Sequence, residues 1–124
     1  MIDPKELRIG NYVQFYRKIE DQDPSQASIC SIFETDGDYY VKFEDGFCVN
    51  TERGIKAIPL TEELLLKSGF EKHKWGILTF YNPLIELDCN FCLKGVDYNI
   101  QIQSLHQLQN IYFALTGKEL MVNL

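Results

Sequence analysis

The sequence predicts an α+β chain: an N-terminal SH3-like small β-barrel fused to an antiparallel sheet backed by a C-terminal helix. Three observations carry this reading. Two Asp-Gly pairs, Asp36-Gly37 and Asp45-Gly46, cut an aromatic and β-branched stretch into short strands. Residues 85–93 and 98–102 alternate apolar and polar side chains with period two. Ser104-Leu-His-Gln107 is a capping box that opens an apolar-periodic helix, and Gly117 closes it. The 124 residues, 45% hydrophobic and 24% charged, suit one ordinary domain or two very small modules sharing a core. A disordered tail, a collagen-like fibre and a membrane span are excluded by that composition and by the shortness of every apolar run.

The elements follow in order. Tyr12, Val13, Phe15 and Tyr16 make 11–18 a strand, and the acidic, Pro24-containing stretch 20–26 is an exposed loop. The two Asp-Gly pairs, read as two-residue hairpin turns, give strands near 28–34, 39–44 and 47–51. In that register Ile32 faces Val41, Cys30 faces Phe43, and Phe43 faces Cys48, so Cys30 and Cys48 are core residues about 10 Å apart. The opposite face then holds Ile29, Phe33, Tyr40, Phe47 and Val49. A short strand at 55–58 completes five, the count of an SH3-like barrel over 1–58.

Residues 59–73 form a linking helix and connector. Thr61 is the N-cap, Leu60 staples onto Leu65, and Gly69 followed by Phe70 ends the helix. Residues 74–124 form a three-stranded meander plus the C-terminal helix, packed with the rest as one compact unit. The meander strands are 74–81, 85–93 and 98–103, with Leu93 opposite Tyr98, Phe91 opposite Ile100 and Cys89 opposite Ile102. Cys89 falls on the core face and Cys92 on the polar face, so this C-x-x-C pair holds neither zinc nor a redox disulfide. Leu105, Leu108, Ile111, Tyr112 and Leu115 form the buried arc of the last helix. Phe113 lies on the opposite side beside His106 and Asn110, an aromatic that implies a second contact with the N-terminal barrel or another subunit.

The net charge is -6, and all of it resides in residues 1–63. That acidic half repels phosphate and disfavours direct nucleic-acid binding. The N-terminus is polar, without a signal-peptide core, so the expectation is a cytoplasmic chain with reduced thiols and no membrane association.

Three segments are familiar together: Leu7-Arg-Ile-Gly-Asn-Tyr-Val13, Ile58-Pro-Leu-Thr-Glu-Glu-Leu-Leu-Leu-Lys-Ser-Gly-Phe70, and His106-Gln-Leu-Gln-Asn-Ile-Tyr-Phe-Ala-Leu-Thr-Gly-Lys-Glu-Leu120. They resemble a family of short uncharacterised proteins of bacteria, their phages and other mobile elements. The resemblance implies an intracellular, phage-associated or mobile-element setting. It transfers no activity and no catalytic residue.

The chemistry is sparse. There is no G-x-S-x-G, H-E-x-x-H, P-loop or G-x-G-x-x-G. His73 lies in a charged connector, and His106 is at N2 of the last helix, where the dipole's positive end disfavours its protonation. The expectation is therefore a non-enzymatic protein without metal or cofactor. Its candidate binding residues are Arg8, Tyr40 and Lys42 for a nucleotide-like ligand, Trp75 as contact area, Asn90 and Gln101 on an amide-rich sheet face, and His106, Asn110 and Phe113 on the helix. The leading expectation is capture of a host protein or a small signalling ligand in counter-defence, with a homo-oligomer left open. Two alternatives are an acidic nucleic-acid mimic, grouping Asp21, Asp23, Asp36, Asp38, Glu44 and Asp45, and a small hydrolase or nuclease with a non-local site. The join between barrel and C-terminal sheet is where a ligand would be sought.

Overall fold

The computed structural model describes residues 2–18, 20–52, 54–72, 80–82, 84–95 and 100–124. The chain divides into two compact units, Met1–Ile58 and Pro59–Leu124. It is α+β, with two antiparallel sheets and a C-terminal helix. No described helix is long and apolar enough to cross a membrane.

The first unit carries strands β1 (Tyr12–Phe15), β2 (Ser25–Thr35), β3 (Asp38–Phe43), β4 (Cys48–Asn50) and β5 (Ile55–Lys56). They form one five-stranded sheet in the order β4-β3-β2-β1-β5. The first Asp-Gly turn is as expected: Asp36 and Gly37 take φ of 53° and 85°, the double positive that a two-residue hairpin requires. Ile32 faces Val41, also as expected.

The two cysteine placements are corrected, each by one residue of register. Between Ile29 and Ser31 the β2–β3 ladder is irregular, and Ile29 rather than Cys30 faces Phe43. Cys30 is the extra residue of a bulge and is exposed. The second Asp-Gly turn is one residue longer than read. The Phe43 N–H donates to the Phe47 carbonyl at 3.0 Å, leaving three residues, Glu44 to Gly46, in the loop. Only Gly46 of these is left-handed, with φ 90°. Cys48 therefore faces Lys42 and is exposed, while Val49 faces Val41. A slip of one residue moves a side chain to the other face. Ile29 and Val49, expected outside, are in the core with Val13, Phe15, Val41, Phe43 and Ile55, and Phe47 packs against it.

In the second unit, Thr61 caps α1 (Glu62–Lys67), its hydroxyl accepting from the Leu64 N–H at 3.2 Å. Leu60 and Leu65 share one buried cluster, as a hydrophobic staple requires. The helix ends in a Schellman motif: Phe70 N–H donates to Leu65 C=O at 3.0 Å and Gly69 N–H to Leu66 C=O at 3.4 Å, with Gly69 at φ 88°. A six-residue helix is too short to stand by propensity. Burial of Leu60, Leu65 and Phe70 holds it. Its Lys67–Glu63 and Lys72–Glu62 ion pairs are exposed and contribute about 0–1 kcal/mol each.

The second sheet is β6 (Glu71–Lys72), β7 (Phe80–Tyr81) and β8 (Glu86–Leu87), in that order. The expected strand 74–81 is described only at its last two residues. The expected continuous strand 85–93 is not one strand. It breaks after Leu87 into a turn in which Asp88 Oδ1 accepts the N–H of Asn90 at 2.8 Å and of Cys92 at 3.0 Å. Phe91 takes φ 62° there, and Leu87 pairs back onto Leu93. Cys89 is exposed and Cys92 buried, the reverse of the expectation. The pairing with the next segment is displaced by two residues: Leu93 N–H donates to Ile100 C=O, and Ile102 N–H to Phe91 C=O, both at 2.9 Å. An even displacement keeps the faces, so Leu93 and Ile102 are still buried together. The expected third strand 98–103 is reduced, in its described residues, to an isolated Cys92–Gln101 pair, and Ser104 pairs with Pro59.

Helix α2 (Leu105–Thr116) begins and ends as read, with Ser104 at the N-cap and Gly117 left-handed at φ 72°. The capping box is shifted by one: Gln107 Oε1 accepts from the N–H of Gln103 instead of Ser104. The buried arc is also turned relative to the expectation. His106 and Gln109 are buried beside Leu105, Leu108 and Tyr112, while Leu115 is 57% exposed.

Gly54 fixes the close of β4. A Cβ there would lie 1.8 Å from Val49 Cγ1. Gly54→Ala is expected to cost about 1–3 kcal/mol, read as a lower urea midpoint at unchanged slope. Adding Val49→Ala should make the Gly54→Ala penalty smaller than it is in the parent chain.

Candidate functional site

The structure brings some of the expected residues together and separates others. Tyr40 and Lys42 share the outer face of β3, as read. Arg8 lies in the turn before β1, two strands away across β2. Its backbone N–H donates to Asn11 Oδ1 at 2.8 Å, and Gly10, at φ 98°, donates to Ile29 C=O. Arg8 thus belongs to a different element from Tyr40 and Lys42, which share one strand face. Trp75 and His73 lie outside the described residues.

Asn90 and Gln101 do meet: Gln101 Nε2 donates to the Asn90 carbonyl at 3.1 Å. Much of the amide-rich face is already committed to the fold. Asp88 caps its own turn, Glu86 pairs with Lys94 at 3.6 Å, and the Gln103 N–H is held by Gln107. His106 is buried, with Nδ1 3.2 Å from Ser104 Oγ, the same oxygen that accepts the Gln107 N–H. The Ser104 partner was visible in the sequence as the N-cap two residues earlier, yet reading it only as a cap hid the pair. Asn110 is half-buried and Phe113 exposed, so the helix trio is split between interior and surface.

The β2–β3 hairpin carries two of the exposed aromatics among the described residues, Phe33 and Tyr39. Phe33 and Tyr40 are direct cross-strand partners, and their rings stack at 5.6 Å between centroids with 15° between planes. Phe33 is 37% exposed and Tyr39, on the other face, 41%. Every residue from Phe33 through Tyr39 is exposed. Glu34, Asp36 and Asp38 lie in this stretch, and none forms an ion pair with another described residue. Phe33 was missed as a site residue, although its pairing with Tyr40 follows directly from the Asp36-Gly37 turn.

A second aromatic and acidic group lies at the opposite end of β3. The Arg17 guanidinium sits 5.2 Å from the Phe15 ring centroid and 5.0 Å from that of Phe47, and it pairs with Asp45 at 2.5 Å. The Phe47 N–H donating to Asp45, joined by Arg17, holds that carboxyl below its usual value of 3.8. The six carboxylates that a nucleic-acid mimic would group are divided between the sheet's two ends. Asp36 and Asp38 belong to the β2–β3 turn, and Asp21, Asp23, Glu44 and Asp45 to the loops at the other end. Among the described residues, no three His, Cys, Asp or Glu side chains group as metal ligands. Compared with protein-family models, curated proteins and solved structures, the chain matches none.

Two measurements check these environments. A carboxyl whose folded pKa is depressed stabilises the fold above its unfolded value and loses that contribution as pH falls through the folded one. An NMR titration should place the Asp45 midpoint below 3.8. Arg17→Met should raise it only in part, because the Phe47 N–H remains. Burial, then the neighbouring Asp88 carboxylate, push the Cys92 thiol up, whereas Cys30, Cys48 and Cys89 are exposed. Mass spectrometry after brief alkylation of the native chain should find those three labelled and Cys92 protected until denaturant is added.

Proposed function

We propose that this is a binding protein that acts by occupying a partner rather than by turning over a substrate, and that the β2–β3 hairpin is its contact surface. The observation that carries the reading is the stacked Phe33–Tyr40 pair, held in register by the Asp36-Gly37 turn, with Phe33 exposed and Tyr40 half-buried. Burying such a pair fully would stabilise the chain, so a pair left partly exposed on a hairpin suits a surface that is covered by something else. His106, the histidine among the described residues, is buried against the N-cap of its own helix.

We take the first unit as an SH3-like small barrel. The support is that β2 pairs with β1 over its first half and with β3 over its second, changing partner beside a bulge while β5 returns to β1. Within a phage or mobile element, the setting the sequence resemblance implies, such a cytoplasmic module would serve counter-defence by masking a host protein.

Panning a random peptide display library on the immobilised chain tests the reading. Peptides enriched on the wild type should be lost on a Phe33→Ser/Tyr40→Ser variant whose melting temperature is unchanged. Equal enrichment on both chains overturns the assignment of this surface.

A further inference from the structure

The chain holds one arginine in a defined way and offers the same chemistry a second time. At one end of the sheet, Arg17 lies over Phe15 and Phe47 and pairs with Asp45. At the other, Phe33 and Tyr40 are stacked with a similar spacing, 5.6 Å for both ring pairs. Asp38 shares their face one row nearer the turn, opposite Thr35. That diagonal step is about 7–8 Å, within reach of a guanidinium that spans ring and carboxylate. Among the described residues no arginine or lysine pairs with Asp38. Lys42 is on the same face but two residues beyond Tyr40, away from the turn, so an incoming cation is favoured on the turn side.

The backbone beside this pair is also open. β1 pairs with β2 only from Ser25 to Ser28, and Ile29 is bonded to Gly10 and Asn11. Thr35 and Asp38 close a two-residue turn, so Thr35, Phe33 and Ser31 direct their amide and carbonyl groups to β3. The groups of Ile32 and Glu34 point to the other side, where no described strand flanks them. An unpaired edge is a template for an added strand.

We propose, resting on the reading of the hairpin as the contact surface, that it receives an extended, arginine-bearing segment of a partner protein. The segment pairs its backbone with Ile32 and Glu34 and lays an arginine over Phe33 and Tyr40 toward Asp38. Charge selects this occupant. Glu34, Asp36 and Asp38 make the hairpin acidic without a cation from 33 to 41, which repels both nucleic acid and the same edge of a second copy.

The test uses the full-length chain and synthetic peptides of about eight residues alternating Arg with Thr, a length suited to one added strand. Binding is read by NMR and calorimetry. The Arg peptide is expected to bind, to shift amides from Cys30 to Tyr40, and to weaken as salt is raised. Asp38→Asn, and separately Phe33→Ser, should each weaken it about tenfold. Methylating alternate peptide nitrogens should abolish it. Equal binding of a Glu–Thr peptide, shifts centred elsewhere, no binding at all, or self-association of the chain through β2 would each overturn the proposal. Failure here combined with aromatic-dependent enrichment of neutral or acidic peptides from the display library would leave the contact surface standing and remove only the arginine partner.

Discussion

Between Ile29 and Ser31 the β2 ladder carries one residue more than β3 opposite it, and the orientation of the first unit's side chains depends on that count. A strand offers its residues alternately to two faces, so each inserted residue exchanges interior for surface. The bulge turns Ile29 inward and Cys30 outward. The three-residue loop between β3 and β4 does the same for Val49 and Cys48. With both in place, Phe15, Phe43 and Phe47 come together, Phe15 and Phe43 at 4.1 Å between ring centroids. Phe33 and Tyr40 are left outside by the same parity. The apolar core and the outer-face aromatic pair are thus two results of one pattern of alternation.

Much of this was legible in the sequence, and the reason is local chemistry. Asp36-Gly37 demanded a particular backbone and received it. Thr61, Ser68-Gly69-Phe70, Ser104 and Gly117 are helix punctuation whose hydrogen bonds depend on neighbours a few residues away. The three familiar segments are largely made of such residues. Gly10 and Asn11 shape the entry to β1, Thr61 and Gly69 bound α1, and Thr116 bonds the Tyr112 carbonyl as α2 ends. These segments therefore speak first of folding.

What escaped has a common cause: a choice of one residue that local preference does not decide. Asp45-Gly46 is compatible with a two- or three-residue loop, and stacking of Phe47 on Phe15 accompanies the latter. Nothing in Cys30 itself announces a bulge. The break at 88–92 places a phenylalanine in left-handed backbone, which a sequence reader assigns to glycine or asparagine. Two hydrogen bonds to Asp88, and the packing of Phe91 against Phe80 at 5.7 Å, accompany that conformation. The candidate site was partly legible for the same reasons. The Asp36-Gly37 turn places Tyr40 and Lys42 on one face of β3, and the same register puts Phe33 beside Tyr40. The helix trio failed because an arc containing His106 and Gln109 does not look apolar, yet both are buried.

The pairing of Pro59 with Ser104, together with the bond from Leu60 N–H to Gln103 C=O, has a consequence for how the chain is made. Every strand of the first unit finds its partners within the first 58 residues, so that unit can close on itself while the remainder is still being translated. The second unit joins its opening segment to one more than forty positions later, and its core still waits for Leu108, Tyr112 and Leu120. Its loop closure spans most of its own length, the slow kind of contact, and can only follow emergence of α2 from the ribosome. Synthesis therefore presents a finished first unit, with its aromatic hairpin ready, before the second has assembled.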